Sequence, residues 1–235
     1  MQESAYSFSL TTFSPSGKLG QIDHAFAAVA GGSTSIGIKA VDGVVLAAEK
    51  KIRSELIEKE SVIKVAKLSK YCGVTYAGMG PDFRVLLKEG RKDAEAYRVR
   101  FGEECPVSEV SRNLAQVMQE YTQSGGVRPF GCSLLVIGKE ADGKPGLFQV
   151  DPSGSFFAWK AACVGHGASD AQSYLEKRYE EKLGLDDAIH IALLTLQESF
   201  DGKLTPESCE IGVCGGKYGS EFRRLTMEEI DEYLS

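Results

Sequence analysis

The hydrophobic period of this chain changes in blocks, and the order of those blocks limits its possible folds more than any single motif. Leu19, Ile22, Phe26 and Val29 recur at helical spacing and predict an amphipathic helix with a buried stripe, ended by Gly31-Gly32. Alternation over 33–40, the turn pair Asp42-Gly43 and the apolar run 44–48 predict a hairpin. Strand-like runs at 62–68 and 71–77 follow. Pro81 then opens a helix predicted to reach Phe101, and Val107, Val110, Leu114, Val117, Met118 and Tyr121 mark another with one apolar face. Strands return at 132–137, 147–150 and 156–162, with Asp142-Gly143 as a second hairpin turn. Helices are predicted at 168–182 and 186–200, the latter with Ile189, Leu193, Leu196 and Phe200 as its buried stripe. Strands at 207–214 and 221–225 and a short helix after Thr226 complete the chain.

A doubly wound parallel sheet needs strands and helices to alternate one by one. Here strands come in hairpin sets separated by pairs of helices. That order predicts an α+β fold, a four-layer αββα sandwich of two stacked antiparallel sheets with helices outside. Strands in such a sandwich are buried on both faces, which accounts for the unbroken run Val44-Val45-Leu46-Ala47-Ala48. No repeat or Pro/Ser-rich linker divides the sequence, so residues 1–235 read as one domain, with a tail at 1–18 and a leading helix at 19–31. Glycine is in excess, 26 of 235 residues against a usual ~7%, so many tight turns and close backbone approaches are expected.

Composition removes several classes of function. Lys and Arg total 27 against 33 Asp and Glu, a formal charge of −6, which argues against a nucleic-acid partner. No apolar run approaches the ~20 residues of a membrane helix, and the N-terminus lacks the basic and apolar regions of a secretory signal. The six cysteines are scattered, form no C-x-x-C pair and are accompanied by three histidines. No metal or other cofactor is expected, and reduced thiols inside a cell fit better than a disulfide framework.

Specific motifs lie on this framework. The N-terminus reads Tyr6-Ser7-Phe8-Ser9-Leu10-Thr11-Thr12-Phe13-Ser14-Pro15-Ser16-Gly17-Lys18-Leu19, followed by Gln21-Ile22-Asp23-His24-Ala25. Further along stand Gly43-Val44-Val45-Leu46-Ala47, Ser61-Val62-Ile63-Lys64-Val65 and the long stretch from Glu120-Tyr121-Thr122 to Val127-Arg128-Pro129-Phe130-Gly131. Asp151-Pro152-Ser153-Gly154 and Leu175-Glu176-Lys177-Arg178-Tyr179 complete the set. In this order the stretches resemble proteasome α subunits over essentially the whole chain. The Tyr6-Ser7-Phe8 start, where most α subunits carry Tyr-Asp-Arg, is similar to the type-2 branch of that family. The resemblance implies the αββα sandwich of N-terminal-nucleophile hydrolases, in agreement with the element order.

In the catalytic β relatives of that family, a chain-terminal Thr attacks the peptide carbonyl, and its free amine manages the proton with help from a Lys and an Asp. Aligning the hairpin at Gly43 places Ser33 at the nucleophile position, Glu49 near the Asp and Lys64 at the Lys. Ser33 follows 32 residues, so its nitrogen is an amide and no base near pH 7. His166, in Gly165-His166-Gly167, stands where active relatives tend to have Ser. A non-catalytic chain is therefore expected. The alternative is an N-terminal-nucleophile amidase that cleaves itself before Ser33, since Gly32-Ser33 resembles the Gly–Thr junction that active relatives cut. Glu49 is then either a relic or the partner of a nearby base.

The resemblance also implies roles for particular residues. Lys64, with Gly32 and Leu19, matches a pocket between neighbouring subunits that receives the C-terminal carboxylates of activators; the alternative for Lys64 is a solvated strand-end lysine. The tail matches a segment that closes the ring's pore, with Tyr6 and Pro15 at gate-clamp positions; the alternative is a disordered terminus. His24 occupies the place of a Tyr that helps hold the open gate, so it is either an altered clamp or a surface helix residue. Arg128 and Phe130 lie on a loop near subunit contacts, and Arg128 reads as an interface or an intramolecular anchor. Asp82 reads as a helix cap, and His190 as a solvated side chain. The implied partners are two α neighbours, β-ring subunits and regulatory particles or other activators, in ubiquitin-dependent protein degradation in cytoplasm and nucleus.

Overall fold

Antiparallel pairing organises the molecule into two sheets. A computed structural model describes residues 12–52, 54–200 and 202–234. Helix α1 spans Gly20–Ala30, followed by β1 (Ser35–Lys39), β2 (Gly43–Glu49), β3 (Val65–Lys67) and β4 (Gly73–Gly78). Helices α2 (Gly80–Phe101) and α3 (Val107–Gln123) lead to β5 (Cys132–Lys139), β6 (Pro145–Val150), β7 (Phe156–Ala158) and β8 (Ala161–Val164). Helices α4 (Ala168–Arg178) and α5 (Leu185–Glu198), strands β9 (Cys209–Gly215) and β10 (Arg223–Arg224), and α6 (Met227–Leu234) follow. The strand orders are β10-β9-β2-β1-β8 and β3-β4-β5-β6-β7.

Side-chain alternation then builds three apolar layers. On β2, Val44, Leu46 and Ala48 point between the sheets, where they meet Leu135 and Ile137 of β5 and Leu147 of β6. Val45 and Ala47 point the other way, toward α4, α5 and α6, alongside Ile36, Ile38, Ile211 and Val213. On β5, Leu134 and Val136 face α2 and α3. Both sheets are thus buried on both faces, and the fold is the predicted αββα sandwich. The expected stripe of α5 is in place: Ile189, Leu193 and Leu196 are buried, and Phe200 packs at its edge.

Three expectations need correction. The run 156–162 is not one strand. Trp159 N donates to Leu147 O in one sheet at 2.9 Å, whereas Lys160 O accepts from Lys39 N in the other at 2.8 Å. The chain therefore changes sheets between these residues, so an apolar run that reads as continuous is split by tertiary pairing. Secondly, the strand expected at 62–68 shrinks to β3, because Lys59–Ser61 forms a 3-10 turn ahead of it. Thirdly, α1 buries Ala25 and Val29, while Phe26 of the predicted stripe is 41% exposed and Leu19 and Ile22 are half-buried. The helix crosses the ends of β4 and β5 and touches them through a narrow contact.

Ahead of α1, the Ser14-Pro15-Ser16-Gly17 turn forms as its residue types predict. Gly17 N donates to Ser14 O at 2.8 Å, and Gly17 has φ +76°, which glycine adopts without strain.

Candidate functional site

The end of α1 delivers Ser33 to one end of the sandwich. Gly32 is wedged against β4: a side chain there would place Cβ 2.1 Å from Gly78 N. Gly32 O accepts from His166 N at 2.8 Å. Gly165, at φ +103°, lies so close that a Cβ would stand 2.6 Å from Ser33 O. Glycines at 32, 78 and 165 thus let the α1 exit, β4 and the segment after β8 converge. Beyond Ser33, Thr34 N donates to Glu49 Oε2 at 3.2 Å, and Thr34 Oγ1 donates to His166 O at 2.6 Å. Gly32, Ser33, Glu49, Lys51 and His166 share the wall of a cavity of about 790 Å³. Ser33 carries a peptide bond on its N-terminal side, so it offers no free amine to this cavity.

Lys64 lies deeper and is only 5% exposed, which removes the reading of a solvated strand-end lysine. Its Nζ donates to Tyr76 O at 2.9 Å and sits 3.8 Å from the centre of the Tyr76 ring. Burial lowers its pKa from the usual lysine value to about 8, while the negative charges of Glu49 and Glu210 oppose that shift. The fold therefore brings Ser33 and Glu49 to the cavity wall, with Lys64 buried close enough to Glu49 to feel its charge.

The remaining predicted residues scatter. Leu19 is the half-buried residue preceding α1, and Pro15 and His24 are exposed. Tyr6 lies outside the described residues. Phe130 is buried in the layer under α2 and α3, its ring 4.5 Å from that of Tyr121. Arg128 grips Asp82 through two nitrogens at 2.7 and 2.8 Å, while its outer part stays in solvent. Asp82 also accepts from Gly131 N at 2.8 Å. It is not a helix cap, since α2 begins after Met79 without a side-chain cap. Its acid lies inside the first turn and reaches the loop 46 residues further on instead. His190 is exposed but meets Tyr233 edge-on at 4.9 Å.

The six cysteines are free and buried. Burial pushes Cys72, Cys105, Cys132, Cys163 and Cys209 up to about 12 and Cys214 to about 11, so none supplies a ready thiolate.

Glu210 is the charged residue beside Lys64 that sequence reasoning missed. Its Oε2 accepts from Lys64 N at 2.8 Å and Val65 N at 2.9 Å, and its Oε1 accepts from Lys50 Nζ at 3.1 Å. The available signal was a lone charge inside the apolar strand Cys209-Glu210-Ile211-Gly212-Val213.

Residues 29–214 match the family model for proteasome subunits, and residues 6–28 match the N-terminal signature of proteasome A subunits. The chain belongs to the proteasome α-subunit family. It is 56% identical over 235 residues to the α type-2-A subunit of Arabidopsis thaliana, covering 100% of this chain and 99% of that protein. It is 53% identical to the α type-2 subunit of Oryza sativa subsp. indica over 234 residues, covering 100% and 98%. The Drosophila melanogaster α type-2 subunit is 52% identical over 235 residues, covering 100% and 99%. The resemblance read from the motifs is therefore borne out. The α-subunit signature ends within α1, so most of the helix ahead of Ser33 belongs to what marks this family.

Proposed function

We propose that this chain is a non-catalytic α-ring subunit of the proteasome core particle. The observation that carries the reading is the continuous chain through α1 into Ser33. The nucleophile position is an internal residue, its nitrogen is an amide, and the preceding Gly32 is packed against Gly78 and hydrogen-bonded to His166. Glu49 and Lys64 remain nearby without the free amine that N-terminal-nucleophile chemistry needs. The work of such a subunit is assembly with other α and β subunits, regulated admission of substrate, and docking of activators in ubiquitin-dependent protein degradation in cytoplasm and nucleus.

The gating role falls to the tail with Tyr6 and Pro15, and to His24 on α1. The exposed position of Pro15 and His24 and the partly exposed apolar face of α1 at Phe26 support contact with a neighbour. The docking role falls to Lys64, Gly32 and Leu19. A buried ammonium with a carbonyl and a ring as its polar surroundings is suited to a terminal carboxylate.

Intact-mass measurement on the chain copurified with its assembly partners tests the central reading. A species retaining the residues before Ser33 is expected, and one beginning at Ser33 would overturn the non-catalytic assignment. Deleting residues 1–13 is expected to raise basal peptide hydrolysis by the assembled particle, and an unchanged rate would remove the gating role.

A further inference from the structure

Glu210 stands on β9 opposite Ala48, with its side chain 12% exposed. A carboxylate taken out of water is costly unless both oxygens find donors. Here one oxygen gathers the N–H groups of Lys64 and Val65, and the other takes the buried Lys50 ammonium, with Arg224 at 3.9 Å. Lys64 and Val65 lead into the edge strand of one sheet, whereas Glu210 belongs to the other. The carboxylate is therefore a tie between sheets, placed at the residue on which the docking reading depends.

Lys64 is held at two further points. Thr75 Oγ1 donates to Lys64 O at 3.0 Å, and Lys64 Nζ donates to Tyr76 O. Its backbone nitrogen, carbonyl and ammonium are each fixed, so the direction of the side chain follows from where Glu210 holds the main chain. We propose that Glu210 is the positioning residue for Lys64, holding the segment that aims its buried ammonium at an incoming carboxylate. The inference rests on the docking role proposed above for Lys64.

Charge supports the geometry. The titratable and charged groups around Lys64 are Glu49 on β2, Lys50 after it, Tyr76 on β4, Cys132 on β5, Glu210 on β9 and Arg224 on β10. Burial drives Lys64 down to about 8, and Glu49 and Glu210 work against it. A lysine so lowered is charged below its native value and neutral above it, so its hold on a carboxylate fades as pH rises through about 8.

The test follows Lys64 directly and through its ligand. The Lys64 Cε resonance of the full chain, labelled with 13C-lysine, is titrated by NMR, and the wild-type midpoint is expected at about 8. Glu210→Gln keeps the size and loses the charge, and the midpoint is expected to fall by about 0.5–1 pH unit. Glu210→Asp keeps the charge and stays closer to the wild-type midpoint. Lys50→Gln, which removes the positive partner but leaves a donor for Oε1, shifts it upward. An unmoved midpoint in both Glu210→Gln and Lys50→Gln, or equal shifts in Glu210→Gln and Glu210→Asp, overturns the proposal. If Glu210→Gln fails to fold, Lys50→Gln decides alone by the direction of its shift.

Binding is read on particles assembled with the full chain. The probes are a labelled octapeptide with a free apolar C-terminal residue and its carboxamide. Glu210→Gln is expected to weaken the free acid about 1.5- to threefold at pH 7.5, in proportion to the charged fraction of Lys64, and to recover most of that at pH 6.5. A loss that persists at pH 6.5 would mean that Glu210 acts through structure alone. Equal binding of acid and carboxamide by the wild type would instead refute the docking role of Lys64, and the titration would still decide the part played by Glu210.

Discussion

Asp82 and Glu210 are carboxylates used in the same way, each gathering backbone N–H groups from a segment distant in sequence. Asp82 binds Gly131 N and the fork of Arg128, and Glu210 binds Lys64 N and Val65 N. Burial alone would raise the Asp82 pKa, but the hydrogen bonds from Arg128 and Gly131 outweigh it and hold the carboxyl below its ordinary value. A lowered carboxyl contributes stability above the unfolded-state value near ~3.9 and loses it as pH falls through the native one. Asp82→Asn is expected to cost about 1–3 kcal/mol at pH 7, by urea unfolding, with the difference shrinking as the acid limb is crossed. A difference constant across that limb would show that the Asp82 charge is not what the loop uses.

At the scale of elements, the exit of α1 is a junction of backbone against backbone, Gly32 against Gly78. Its helix contributes Ala25 and Val29 to the core, so packing along its length holds it weakly, and its C-terminal anchor carries more of the load. Gly32→Ala would force a Cβ into the Gly78 backbone, which has no flexible side chain to yield. The substitution is expected to destabilise the chain by about 1–3 kcal/mol or to detach α1 from the sandwich end. Limited proteolysis should then cleave near Gly31 far faster than in wild type, and unchanged proteolysis would show that α1 is held elsewhere. The C-terminal helix is fastened differently. Thr226 and Glu229 form a reciprocal cap, with Thr226 N donating to Glu229 Oε2 at 2.8 Å and Glu229 N to Thr226 Oγ1 at 3.3 Å. Tyr233 OH donates to Asp186 on α5 at 2.6 Å.

Across the whole molecule, stability is divided among three apolar layers, and the middle one is enclosed by sheet on both sides. Leu46, Leu135 and Leu147 are essentially without solvent exposure there. Two hydrogen-bonded sheets collapse onto a void less readily than a helix face does. Leu135→Ala is therefore expected near the upper end of the ~2–5 kcal/mol range for such truncations. Leu193→Ala under α5, where a helix can shift, is expected nearer the lower end. Chemical denaturation of both variants checks the ordering, and equal losses would mean that the sheets relax as freely as the helices.

Hairpins, helix pairs and the sandwich class followed from residue types alone, because Asp42-Gly43 and Asp142-Gly143 set turns locally and hydrophobic period is a local property. The family followed from ordered motifs spread along the chain, and Ser33, Glu49 and Lys64 could be placed from them. The rest depended on contacts between distant segments. The change of sheet between Trp159 and Lys160 is set by which strand each residue finds opposite it. Whether Phe26 or Ala25 faces inward depends on how α1 lies across β4 and β5. Asp82 carries no local pattern that tells a cap from a tie, and the apolar strand around Glu210 marks it as unusual without naming what it holds, since the partners of both lie far away in sequence. The sequence alone determined the order of helices and hairpins and the family they belong to. The tertiary structure decided which charges are buried, what each one holds, and that Lys64 is an enclosed ammonium instead of a surface one. Desolvation and long-range pairing arise only once the layers close.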